Sequence, residues 1–162
     1  MRSIAGVLQE QNTELARVAY VTAFQHASAR LTELLSNSKA ISSINQSGFL
    51  NLHLDYQCLL RFAETLPEPM TQCLGELQQL LALFLESESV KEILDDAIYR
   101  AKYAKVNLKK LVSLLDKYKN DKTVLEAGKS TGNAELDAVM RRMKIVRKSE
   151  CEEVAKKLKT QL

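Results

Sequence analysis

The side chains that could do chemistry in this chain are few and poorly placed for it. The histidines are His26 and His53, and the cysteines are Cys58, Cys73 and Cys151. His53 and Cys58 stand five residues apart, which puts them on different faces of a helix. Neither histidine has metal-ligand spacing to a second donor. A Cys–His nucleophile would need a motif around the thiol, and none is present. Asp95-Asp96 and the pair Glu86 and Glu88 are acidic, but carboxylates at helix ends are ordinarily solvated. No glycine-rich phosphate loop and no strand-turn-helix elbow occurs. The residues support no enzyme, no metal and no cofactor.

Charge carries more information. The net charge is +3, yet residues 1–90 hold five Lys/Arg against nine Asp/Glu, and residues 91–162 hold eighteen against eleven. The two parts therefore offer different surfaces to a partner. Near the end stand Arg141, Arg142, Lys144, Arg147 and Lys148, followed by Lys156, Lys157 and Lys159. Two readings apply. The cluster contacts an anionic membrane or another partner, or it is the solvated side of an amphipathic helix balanced by Glu150, Glu152 and Glu153. No aromatic residue is interleaved with these charges, so nucleic acid is not expected as a partner.

The elements that position these residues are helical. A chain of 162 residues is one ordinary domain, and 46% hydrophobic and 27% charged content are those of a globular protein. Five glycines, two prolines and few β-branched runs argue against sheets. No apolar run reaches the roughly 18 residues of a membrane span. Three irregularly spaced cysteines read as reduced thiols of a cytosolic protein.

Met70–Glu86 is the expected central helix. Met70, Cys73, Leu74, Leu77, Leu80, Leu81 and Phe84 share one arc, with Leu83 and Leu85 outside it. A long helix is expected over Ile4–Leu35, with Ala16, Tyr20, Ala23, Phe24, Ala27, Leu31 and Leu34 inward. Its second apolar set, Leu8, Leu15, Val18 and Val21, calls for a partner or for upstream chain. Ser36-Asn37-Ser38 breaks this helix, and Ile41 and Ile44 fall in a short turn or half-helix that ends near Gly48. The alternation of Leu50, Leu52 and Leu54 predicts an extended run over Phe49–Leu54. A buried helix follows from Asp55 to Leu66, with Cys58, Leu59, Phe62 and Ala63 among its apolar residues. It pairs with the central helix through the LPEP turn.

Val90–Tyr103 begins as a helix and then loses its stripe. Asn107 caps a helix with Leu108, Leu111, Val112, Leu115 and Tyr118 on one side. The domain reading is a helical bundle over residues 1–120, a flexible linker over 121–133 and a basic helical tail over 134–162. The tail's stripe shifts from Leu136, Val139, Met140, Met143 and Val146 to Cys151, Val154 and Leu158. With Ser149 and Glu152 at capping-box spacing, it divides into two helices.

These residues carry a resemblance. LHLDYQCLLRFAETLP, then LGELQQLLALFL, then YAKVNLKKLVSLLDKYK are similar, in order and spacing, to the C-terminal end of the exocyst complex component six family. The matching positions are Leu54-Asp55 and Phe62-Ala63, then Leu77 and Leu80-Leu81, then Tyr103, Val106-Asn107 and Asp116-Lys117-Tyr118-Lys119. The family commonly has Pro where this chain has Leu108, and Asn where it has His53. The remainder of such a subunit is absent, so the chain reads as an excised domain or a short gene product.

The resemblance implies an all-α tethering-complex fold, an antiparallel bundle or rod of about five to seven helices. It implies binding of a GTP-loaded Rab GTPase and other exocyst subunits as partners. It also implies a cytoplasmic protein, peripheral at secretory vesicles and plasma-membrane sites of exocytosis. Asn51, His53 and Asp55, around the expected helix start, are the candidate part of the Rab-binding face. N-capping is the competing role for Asp55.

Overall fold

A computed structural model describes residues 4–66, 71–120 and 134–162, with side chains described for all but 4–11, 135 and 136. The LPEP turn, the 121–133 linker and the side chains of Leu8, Met70 and Leu136 lie outside the described residues. Seven α-helices occur among the described residues: α1 Ile4–Ser36, α2 Gln46–Glu64, α3 Gly75–Leu85, α4 Asp96–Ile98, α5 Leu108–Lys117, α6 Ala134–Arg142 and α7 Lys148–Gln161. Strand pairing among them is limited to an isolated parallel bridge between Ile44 and Tyr118. The fold is an all-α bundle.

The centre is α3. Leu77, Leu80, Leu81, Leu83, Phe84 and Leu85 are all buried, because α1, α2 and the segment after α3 pack around it. Each such burial stabilises by roughly 1.5–3 kcal/mol. A 3-10 turn, Thr71–Leu74, rather than α-helix leads into α3. Phe49 in the first turn of α2 stacks on Phe84 in the last turn of α3, with ring centroids 4.0 Å apart. The two helices are therefore antiparallel, as expected. Tyr118 adds a third ring on Phe84 at 6.0 Å.

The expected extended run over Phe49–Leu54 is helix instead. Asn45 starts α2 by accepting a hydrogen bond from the Gly48 amide at 2.9 Å. Phe49, Leu50, His53 and Tyr56 then face inward at helical spacing. A buried histidine in that set hid the 3.6-residue period, while three leucines imitated a period of two. Nor is the rest of the segment buried all round. Tyr56 and Ala63 are inside, but Cys58 and Phe62 face solvent.

In α1 the buried face runs through Phe24, Ser28, Thr32 and Leu35, with Val21 and Leu31 beside it. Ala16, Tyr20, Ala23 and Leu34, expected inside, are exposed. Polar residues turned the helix. Lys110 Nζ donates to Thr32 Oγ1 at 3.0 Å and lies 3.4 Å from the Glu76 carboxylate, joining α1, α3 and α5 at one polar node. At the end of α1, the buried Lys117 ammonium donates to the Leu35 carbonyl, where helix carbonyls lack intrahelical partners.

Between α3 and α5 the chain is irregular in period, which is why no stripe was visible. A 3-10 turn, Val90–Leu94, is capped by Ser89; α4 is capped by Asp95; and a π-turn spans Tyr99–Tyr103. Asn107 caps α5 by accepting from the Lys110 amide at 3.2 Å, and Leu111, Val112, Leu115 and Tyr118 are buried as expected.

The boundary expected after residue 120 does not separate two cores. Cys151, Val154, Ala155 and Leu158 of α7 are buried against α5 and the Val90–Leu94 turn. The tail is two helices, but Ser149 does not cap the second. That helix starts at Lys148, whose amide donates to Asn120 Oδ1 at 2.7 Å.

Candidate partner-binding surfaces

Helix α2 divides the expected trio. Asn51 and Asp55 are exposed and one turn apart, so they share a face. His53 is buried at 8% exposure, with its Nε2 3.2 Å from Gln57 Nε2. It supports α2 from within rather than meeting a partner directly. Asp55 sits in mid-helix, so it does not cap.

The outward face continues past Asp55 at i+3 and i+7 through Cys58 and Phe62. Phe62 is 54% exposed and stacks on Phe24 of α1, with centroids 5.9 Å apart. One turn before Phe24 stands Tyr20, also exposed, and beyond it Leu15 and Val18. A polar end, Asn51 and Asp55, thus grades into an aromatic end, Phe62 and Tyr20. Exposed aromatics beside hydrogen-bonding groups are the composition of protein-recognition surfaces. Sequence reasoning placed Phe62 and Tyr20 in the core, since an apolar residue on an amphipathic helix defaults to the buried side. No local signal distinguishes the two.

The second surface is basic. Arg141 and Arg142 end α6, where the helix dipole favours cations. Between α6 and α7 the non-helical stretch Met143–Arg147 keeps Val146 buried and Ile145 exposed. Gln46, 1% exposed, holds this stretch: its Nε2 donates to the Lys144 carbonyl at 2.6 Å and its Oε1 accepts from the Val146 amide at 3.2 Å. Lys144 pairs with Glu88, and Lys148 lies 3.3 Å from Glu152.

Farther along α7 the cations are neutralised within the chain. Glu153 bridges Lys157 at 2.8 Å and Lys91 at 2.5 Å, and Lys159 meets Asp116 at 2.8 Å. Hydrogen bonds from Lys157 and then Lys91 hold the Glu153 carboxyl down at about 2. The balanced-face reading therefore describes most of α7, while Arg141 to Lys148 remain the basic surface.

Reactive groups do not converge. Burial pushes the Cys151 thiol up to about 12, with Glu150 and Glu152 adding to the effect, so it stays protonated. Cys58 and Cys73 are free thiols, and no group of three His, Cys, Asp or Glu residues suited to a metal forms among the described residues. No helix among the described residues is long and apolar enough to cross a membrane.

Compared with known proteins, the chain matches one family model, described as exocyst complex subunit Sec15 C-terminal, over residues 2–117. The match ends at the last residue of α5, so α6 and α7 lie beyond it although α7 shares the core. No curated protein and no solved structure matches the chain.

Proposed function

Because the chain belongs to the family of exocyst Sec15 C-terminal domains, we propose that it is a vesicle-tethering module that binds a Rab GTPase in its GTP form. The observation that carries this reading is the open α2 face, Asn51, Asp55, Cys58 and Phe62, continued by Tyr20 on α1. The switch regions of a GTPase are ordered only while the γ-phosphate is present. A rigid helical face complementary to the ordered switches therefore discriminates GTP from GDP without touching the nucleotide. Asn51 and Asp55 supply hydrogen bonds that fix register, and Phe62 supplies the apolar anchor. His53, bonded to Gln57 behind that face, keeps α2 in place.

The exposed Leu15 and Val18 on the first half of α1 suit docking to other exocyst subunits. In this reading the protein is peripheral and cytoplasmic, and it acts where secretory vesicles dock at the plasma membrane.

The test is capture of the full chain by a panel of Rab proteins, each loaded with a GTP analogue or with GDP. One Rab should retain the chain in the GTP form only, and Phe62→Ala should weaken capture by roughly tenfold or more, as a central aromatic anchor does. Absence of capture by every GTP-loaded Rab, with the chain shown folded, would sink the proposal.

A further inference from the structure

From residue 138 to residue 149 the chain has five cations, Arg141, Arg142, Lys144, Arg147 and Lys148, and no carboxylate. A run of this kind is often a loose solvated stretch. Here its backbone is held by four hydrogen bonds. Gln46 bonds the Lys144 carbonyl and the Val146 amide, the Tyr118 hydroxyl donates to the Val146 carbonyl at 3.0 Å, and Asn120 receives the Lys148 amide. With Val146 turned inward, its neighbours Ile145 and Arg147 are left on the outside, Ile145 at 49% exposure.

We propose that this pinned segment is a docking site for an anionic lipid surface, with the arginines and lysines on the headgroups and Ile145 entering between them. Charge complementarity selects the occupant. Among the described residues, the carboxylates that pair with the segment are Glu88, with Lys144, and Glu152, near Lys148. Arg142 and Arg147 have no ion pair among the described residues, and Arg141 Nε donates to the Asp137 carbonyl at 3.1 Å. An aliphatic tip between uncompensated cations suits a bilayer, where each basic residue adds electrostatic attraction and the apolar side chain leaves water. Nucleic acid is disfavoured because residues 134–162 hold no aromatic side chain to stack on a base. The fixed backbone lowers the ordering cost of binding.

This site is separate from the α2 face and does not depend on the Rab reading. The experiment is co-sedimentation of the full chain with phosphatidylcholine vesicles and with vesicles that also contain phosphatidylserine, at low and at physiological salt. The chain should sediment with the anionic vesicles only, and less so as salt rises. Arg142→Gln/Arg147→Gln should weaken partitioning by about fivefold per charge, roughly 25-fold together. Both side chains are exposed, so the melting temperature and Rab capture should not change. Ile145→Ser should reduce the binding that survives at higher salt. Equal sedimentation with both vesicle types, or an unaffected double variant, would overturn the proposal. So would capture by a polyglutamate peptide without capture by anionic vesicles, which would assign the face to an acidic protein.

Discussion

Replacing Gln46 with leucine keeps the volume of a buried side chain and removes its amide. That amide joins three segments: Nε2 donates to the Phe84 carbonyl at 3.3 Å and to the Lys144 carbonyl at 2.6 Å, and Oε1 accepts from the Val146 amide at 3.2 Å. The Phe84 carbonyl lies in the last turn of α3, where helix carbonyls lack an intrahelical partner. A buried hydrogen bond contributes about 1 kcal/mol net, and more is lost when its partner is stranded away from water. Three bonds put the expected loss at about 3 kcal/mol. For a chain of this size that is a melting temperature lower by roughly 6–12 °C.

Urea denaturation followed by circular dichroism gives the free energy. Limited trypsin digestion gives the location, because Lys144 and Arg147 should be cut sooner once the segment is released. A loss below about 1 kcal/mol, with cleavage at those two sites unchanged, would refute the idea that Gln46 pins the tail to the core.

Two further predictions concern the packing. Leu81, 2% exposed in α3, should cost about 2–5 kcal/mol on truncation to alanine, measured by urea denaturation; a change under about 1 kcal/mol would mean that α3 is not the centre of the core. Glu153 titrates near 2 in the folded chain against an ordinary 4.5, so its ion pairs stabilise the docked α7 fully above the ordinary value and lose that effect as pH falls toward 2. Glu153→Gln should therefore lower the urea midpoint slightly at neutral pH, with the gap to the parent chain closing over that acid range. A gap of constant size down to pH 2 would exclude the pairing with Lys91 and Lys157 as its source.

Much of the bundle was legible because a helix writes its buried face into its own sequence. The apolar arc of α3, the Asn107 cap and the break at Ser36-Asn37-Ser38 are local, and the structure keeps all three. Where the reading failed, polar side chains had gone inside. Ser28, Thr32, Gln46 and His53 are buried, the last three with partners on other elements or one turn away, and no apolar pattern marks them. Thr32, bonded to Lys110, turned α1, His53 hid the period of α2, and Gln46 drew the tail into the core.

The surfaces divide in the same way. Sequence alone determined that the chain is helical, that its last part is basic, and that the ordered leucine, Leu-Asp and Val-Asn motifs resemble a tethering-complex subunit. Those properties rest on residue type and on spacing within a few turns. Only the tertiary structure decided that His53 faces inward while Asn51 and Asp55 face out, that Phe62 and Tyr20 lie open, and that α7 belongs to the core. Each of these depends on which neighbour covers a given side of a helix. That choice is made by contacts between residues far apart in the chain, such as Gln46 with Lys144 and Val146, and local periodicity carries no record of them.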